Sequence, residues 1–315
     1  MIKLHRASRG RCLLALWLLL VLPVQAMAAR LLLLPSEDQP LYRQLVEALT
    51  VELGDDSDWS WRVLDADAEL SASGLEQVDL LITLGTRATR RALAVPERPP
   101  TLSVFIPRNA FEVLLEASPG AREAQAEGRL SALYLEQPFE RQLALAKLIS
   151  PNAGTLGTVL GPRSIQDQAA LEQAASRLQL DLLVSILGPD ANPIQQLSPV
   201  IASSDAFLAV PDSAVFNRRT ARWILLMTLR QRIPLVAYSR RYVEAGAVAA
   251  VFSTTATVGR EAAMRARHWL ADGELAAPSH PELFEVSVNP TTARSLRLTL
   301  PPAQALADQL RRLAP

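Results

Sequence analysis

Val78-Asp79-Leu80-Leu81-Ile82-Thr83-Leu84-Gly85-Thr86-Arg87-Ala88-Thr89 is the stretch on which the fold turns. Residues 78–84 form an almost continuous apolar run, too short for a helix and without the alternation of a half-exposed strand. A strand of that kind is covered on both faces, which is the condition of a parallel sheet inside an α/β layer. Gly85-Thr86 ends the run, and residues 87–94 have helical character. Strand, tight turn and helix together make one repeat of a doubly wound sheet.

The same grammar extends in both directions. Upstream, residues 30–34 read as a buried strand closed by Pro35-Ser36-Glu37-Asp38. Leu41, Leu45, Val46, Leu49 and Leu53 then mark one helical face, and residues 61–64 give a second strand. Downstream, residues 101–106 form a fourth strand ended by Pro107. After a Gly- and Glu-rich stretch at 118–140, which holds one candidate crossing strand at 130–135, a second series begins. Its strands fall at 155–160, 180–186, 206–210, closed by Pro211-Asp212-Ser213, and 235–238, and its helices at 164–178, 194–201 and, after that closing turn, through Arg230. Two such series imply two doubly wound lobes.

Composition agrees with a globular chain. Of 315 residues, 49% are apolar and 20% charged, enough for a substantial core. The 32 basic residues balance 32 acidic ones, which argues against a nucleic-acid partner, since phosphate binding asks for a basic face.

At the N-terminus, Lys3, His5, Arg6, Arg9 and Arg11 precede an apolar run at 13–22, then Pro23 and Ala26-Met27-Ala28. That order predicts a signal peptide over residues 1–29, cleaved after Ala28 or Ala29. The apolar run is shorter than the roughly 20 residues a membrane span needs. Cys12, the single cysteine, precedes the apolar run, so no lipid attachment at a cleavage site is expected. The mature chain would carry no cysteine, which excludes disulfides, thiolate catalysis and Cys-ligated metals. Without Lys3, Arg6, Arg9 and Arg11, 28 of the 32 basic residues face 32 acidic ones, a net charge of about −4. A periplasmic location follows, with any membrane contact made only through a partner.

Open parallel sheets bind ligands beyond the carboxyl ends of their strands. The candidate residues are therefore Ser36, Gly85, Thr86, Arg87 and Arg108 in the first lobe, and Arg163, Ser164, Pro211, Asp212, Ser213 and Ser239 in the second. Taken singly, each is equally at home as a turn or helix cap. Catalytic patterns are missing: no G-x-S-x-G elbow, no G-x-G-x-x-G after the first strand and no Walker A sequence. His268 and His280 lack partners at metal-ligand spacing, and Asp55-Asp56 and Asp65-x-Asp67 read as turns. No enzyme, metal or cofactor is expected. Of Trp59 and Trp61 strand alternation buries one, and Trp223 and Trp269 read as helix packing.

Four segments carry a resemblance. Residues 78–89 resemble a "vDlivalGTpAa" element, and Leu208-Ala209-Val210-Pro211-Asp212-Ser213-Ala214-Val215 resembles "lyvPtDntv". Tyr242-Val243-Glu244-Ala245-Gly246-Ala247-Val248-Ala249 with Gly259-Arg260-Glu261-Ala262-Ala263 is similar to "fvkaGAla…lGrqaA". The segment 284–296, followed by Pro301-Pro302, is similar to "felviNlktAkaLgl". These elements belong to the substrate-binding family of ABC transporters with the type I periplasmic-binding fold, and they run in order along the mature chain.

The resemblance implies two lobes, 30–134 plus 250–275 and 135–249 plus 276–315, joined by three crossings near Tyr134, Ala249 and Leu275. It implies a cleft that captures an amino-acid-like solute for an ABC permease. Gly85, Thr86, Pro211, Asp212 and Ser213 inherit ligand-facing roles, with Thr86 and nearby N–H groups holding a carboxylate and Asp212 accepting from an ammonium. Departures touch the pocket. Thr254-Thr255 replaces the family's Asp-Tyr pair, Pro107-Arg108-Asn109-Ala110 its "sDPv" turn, Gly161-Pro162-Arg163-Ser164 its "yNpsnpns" loop, and Glu127-Gly128-Arg129-Leu130-Ser131 its "GgNvTG" stretch. Arg87, Arg108 and Arg163 suit a more anionic ligand. A periplasmic sensor or accessory subunit of a signalling or outer-membrane receptor, built on the same fold, is the alternative.

Overall fold

The computed structural model describes residues 28–54 and 58–313; the expected signal segment up to Met27 and the Asp55-Asp56 turn lie outside the described residues. Five strands, β1 (Ala29–Pro35), β2 (Trp59–Val63), β3 (Leu80–Leu84), β4 (Thr101–Ile106) and β5 (Leu130–Tyr134), form one parallel sheet in the order β2-β1-β3-β4-β5. A second sheet contains β6 (Thr155–Leu160), β7 (Asp181–Ile186), β8 (Ala206–Leu208), β9 (Leu235–Ala237), β10 (Ala249–Phe252) and β11 (Glu285–Val288), ordered β11-β10-β9-β8-β6-β7. Only β11 runs antiparallel to its neighbour. The central strands are buried throughout, as their uninterrupted apolar runs require: Leu31 to Leu34 and Leu80 to Ile82 are at most 1% exposed.

In each sheet the chain starts in the interior, steps to one edge and crosses back. The strand order reverses between β1 and β3 in the first lobe and between β6 and β8 in the second. Two crevices at the carboxyl ends follow from that topology alone.

The helix Thr255–Asp272 returns to the first lobe and lies on the helix Pro40–Leu53, sharing a core with β1, β3 and β4. Gly259 makes the contact close. A Cβ there would meet the Ala48 Cβ at 2.7 Å and the Leu49 nitrogen at 2.8 Å, both immovable neighbours.

The crossings lie elsewhere than the sequence boundaries place them. β10 pairs with β9 and β11, so the chain leaves the second lobe at Ser253-Thr254 and not at Ala249. Residues beyond Leu275 still run along β5: the Ser279 nitrogen donates to the Ala132 carbonyl at 3.0 Å, and the Tyr134 nitrogen to the Ser279 carbonyl. The third crossing therefore falls at 280–284. Strand ends are decided by backbone pairing between distant segments, which local composition does not record. Trp59 packs on the first-lobe core while Trp61 is 38% exposed; residues two apart share a strand face, so alternation does not account for the difference.

Candidate functional site

Three crossing segments bring the carboxyl edges of the two sheets together, and buried polar side chains lace those segments. The Gln137 Nε2 donates to Ser253 Oγ at 2.7 Å, and that hydroxyl donates to the Leu283 carbonyl at 3.0 Å. Arg141 Nη1 donates to Gln137 Oε1 and to the Pro281 carbonyl, and its guanidinium lies 4.3 Å from the Phe284 ring centre. Glu261, from the first-lobe helix, accepts the backbone N–H of Glu282 and Leu283 on Oε2 and Arg265 Nη2 on Oε1. Gln137, Arg141 and Glu261 are each 5% exposed or less. Burial draws the Arg141 guanidinium below its ordinary value, and the charges of Glu261 and Glu282 oppose that drift. Sequence reasoning missed this network because Gln137 and Arg141 meet Ser253 and Pro281 from 116 and 140 residues away.

Beside the hinge the lobes touch directly. Arg108 Nη2 and Asn109 Nδ2, just past β4, donate to Asp167 Oδ1 of the second lobe at 2.6 and 2.9 Å. The Arg108 nitrogen donates to Glu136 Oε1 at 2.7 Å. Burial raises the Glu136 carboxyl above its usual range, and the hydrogen bond from Arg108 works against that rise. His280 sits edge-on to Tyr134, with ring centres 5.1 Å apart, and its Nδ1 lies 2.9 Å from the Glu136 carbonyl oxygen. A carbonyl only accepts, so that nitrogen carries the proton. Burial lowers the His280 pKa.

The strand-end residues divide into two groups. Most are spent on the fold. Ser36 is buried, and its Oγ accepts from the Ala88 nitrogen, capping the helix Thr86–Leu93 from a neighbouring strand. Gly85 has φ +91°, and a Cβ there would lie 2.6 Å from the Tyr42 hydroxyl and 2.7 Å from Ser36 Oγ, so only glycine fits. Arg87 turns to Asp67 and the Ser36 carbonyl within its own lobe. Ser239 and Thr254 cap the helices that follow them, and Thr254 Oγ1 also donates to Glu285.

Asp212 is the most heavily engaged of the strand-end side chains. Its side chain is buried, and Oδ2 accepts from the Arg163 nitrogen, the Ser164 nitrogen and Ser164 Oγ at 2.9, 3.1 and 3.0 Å. Oδ1 accepts from the Ala214 nitrogen at 2.9 Å. Asp212 and Ser164 therefore pin the loops after β8 and β6 to each other across the second-lobe crevice. Asp212 is 4% exposed, and only its Oδ1, with a single partner, keeps acceptor capacity. Arg108 is likewise engaged, by Asp167.

A smaller set stays open. Thr86 and Thr255 are half-buried, and Arg163, Pro211 and Ser213 are exposed; the side chains of Thr86, Arg163, Ser213 and Thr255 make no hydrogen bond or ion pair among the described residues. They lie at the ends of β3, β6, β8 and β10. Phe105, half-buried against the first-lobe core, stands out by its backbone. It has φ +60° within a bulge of β4, where the pairing with β5 slips between Val104 and Ile106. A bulky side chain in the left-handed region costs on the order of 1–3 kcal/mol and persists only where its surroundings impose it. The sequence carries no mark of that strain.

Two such lobes, with their edges facing across three crossings, constitute the type I periplasmic-binding fold. Solved structures that share it include a substrate-binding protein with adhesive properties from Clostridium difficile, in its ligand-free, open form. Its TM-score is 0.69 at 15% identity, over 87% of this chain and 96% of that one. An ABC domain in complex with L-Trp from Streptococcus pneumonia gives 0.57 at 13% identity, over 89% and 98% of the two chains. A conserved domain protein from Vibrio cholerae gives 0.57 at 17%, with the same coverages. The likeness is one of fold. No family model and no curated protein matches the sequence.

Proposed function

We propose that the protein is an exported, non-catalytic receptor that captures a small solute between its lobes and hands it to an ABC permease. One observation carries the reading. Unpaired polar groups at Thr86, Arg163, Ser213 and Thr255 remain at two crevices that face each other across a laced hinge, while the other strand-end side chains are consumed by the fold. Hydroxyls and one guanidinium suit an anionic or amino-acid-like solute. Export rests on the signal-like N-terminus. Cleavage after Ala28 leaves β1 whole, whereas cleavage after Ala29 removes the residue paired with Trp59.

A thermal-shift screen of the chain from Ala29 onward, against amino acids, small carboxylates and inorganic phosphate, tests the proposal. A solute at a hundred times its Kd adds about 2.7 kcal/mol. At about 2–4 °C per kcal/mol, the melting temperature should rise by about 5–10 °C. Thr86→Val with Arg163→Gln should erase that rise and leave the unliganded melting temperature unchanged. A rise that survives both substitutions would remove the site from this cleft.

A further inference from the structure

The helix Arg218–Gln231, between β8 and β9, carries an exposed face that the fold does not use. Arg218, Arg222 and Leu229 form one row at helical spacing, and Arg219, Leu226 and Arg230 the adjacent row. All four arginines are exposed, and Leu226 and Leu229 are 46% and 43% exposed. None of the four guanidiniums makes an ion pair or side-chain hydrogen bond among the described residues. The helix contains no acidic residue, and the neighbouring helix Pro193–Ala202 contains no charged residue at all. The opposite side of the helix is ordinary core, with Thr220, Ile224 and Thr228 buried.

This placement works against folding. Arg218 and Arg219 stand in the first turn, at the positive end of the helix dipole, where acidic residues are favoured. Arg218 and Arg222 are four residues apart, a spacing at which like charges repel. Only Arg230, in the last turn, sits where the dipole favours a cation. From Ala29 onward the chain has 28 basic against 32 acidic residues, so this cluster is a local excess of positive charge and not a reflection of the composition.

We propose that this face rests on an anionic phospholipid surface, so that the second lobe touches the bilayer directly as well as through any protein partner. The face from Arg218 to Arg230, made of both rows, spans about 18 Å of a convex ridge. Guanidinium groups pair with phosphates in a two-pronged manner, and a plane of headgroups meets a ridge without needing a complementary groove. Leu226 and Leu229, set among the arginines, reach the boundary between headgroup and acyl chain, as in interfacial amphipathic helices. The proposal does not depend on what the cleft binds.

Vesicle sedimentation with the chain from Ala29 onward, which holds both sheets and every described helix, is the test. Vesicles of equal parts phosphatidylglycerol and phosphatidylcholine should carry the protein down at low salt, lose it as salt is raised, and outperform phosphatidylcholine alone. Arg219→Gln with Arg222→Gln should weaken binding about thirtyfold, from about fivefold per arginine. Arg122→Gln with Arg129→Gln removes the same charge from the first lobe and should change binding little. Equal weakening by the two pairs would reduce the effect to net charge and overturn the proposal. Retention on a poly-glutamate resin without any vesicle binding would assign the face to an acidic protein and overturn it as well.

Discussion

Asp212→Ala separates a pin of the fold from a contact to the ligand. In the parent, one buried carboxylate receives four hydrogen bonds, from Arg163, Ser164 twice and Ala214. Arg163 is exposed, so water replaces the acceptor its nitrogen loses. Ser164 is fully buried; its nitrogen keeps a second acceptor in the Gly161 carbonyl at 3.1 Å, but its hydroxyl is left with no oxygen to donate to. Orphaning a buried donor costs about 1–3 kcal/mol, and losing hydrogen bonds to a charged acceptor adds to it. A total of about 2–4 kcal/mol follows, which lowers the melting temperature by about 4–16 °C at 2–4 °C per kcal/mol. Asp212→Asn keeps one acceptor oxygen and turns an NH2 group toward donors, so it should fall between parent and alanine. Differential scanning calorimetry reads the loss. An alanine variant that melts within about 1 °C of the parent, yet no longer gains stability from a solute that stabilises the parent, would refute the structural assignment and restore the ligand contact.

Three further outcomes follow from the geometry. Arg141→Met removes the hinge guanidinium that ties Gln137 to Pro281 and should cost about 3–5 kcal/mol, seen as a lowered midpoint in urea unfolding; an unchanged midpoint would show that the lacing contributes nothing. His280 has its pKa lowered by burial, so the fold favours the neutral ring. Its contribution is full above the unfolded value near 6.5 and is lost as pH falls through the lower folded value. His280→Asn should flatten the fall in melting temperature on acidification below about pH 6.5, and a slope identical to the parent's would count against it. Gly85→Ala meets a positive-φ backbone, the Tyr42 hydroxyl and Ser36 Oγ, so it should destabilise by more than about 1 kcal/mol; Tyr42→Phe in the same chain removes only the hydroxyl contact and leaves Ser36 Oγ at 2.7 Å and the backbone strain, so rescue should be partial by thermal denaturation.

Much of the architecture is legible in order along the chain. Continuous apolar strands such as Leu80–Leu84, closed by Gly85 and followed by helical spacing, are local signals with a direct physical cause, and two series of them make two lobes. Strand ends mark the crevices for the same reason, and Thr86, Arg163 and Ser213 stay open there. Whether a polar side chain at a strand end is free or already spent depends on donors brought in from elsewhere. Asp212 meets Ser164 across 48 residues, and Ser36 meets Ala88 across 52. Such partners are set by packing, so only the folded molecule turns Asp212 from a candidate ligand contact into a pin. The hinge gives the same lesson at longer range, since Gln137, Ser253 and Leu283 share hydrogen bonds that no local pattern encodes. Periodicity carries the order of layers because it arises between neighbours in sequence. The site's free valences, the shifted second crossing at Ser253 and the strained Phe105 arise between neighbours in space.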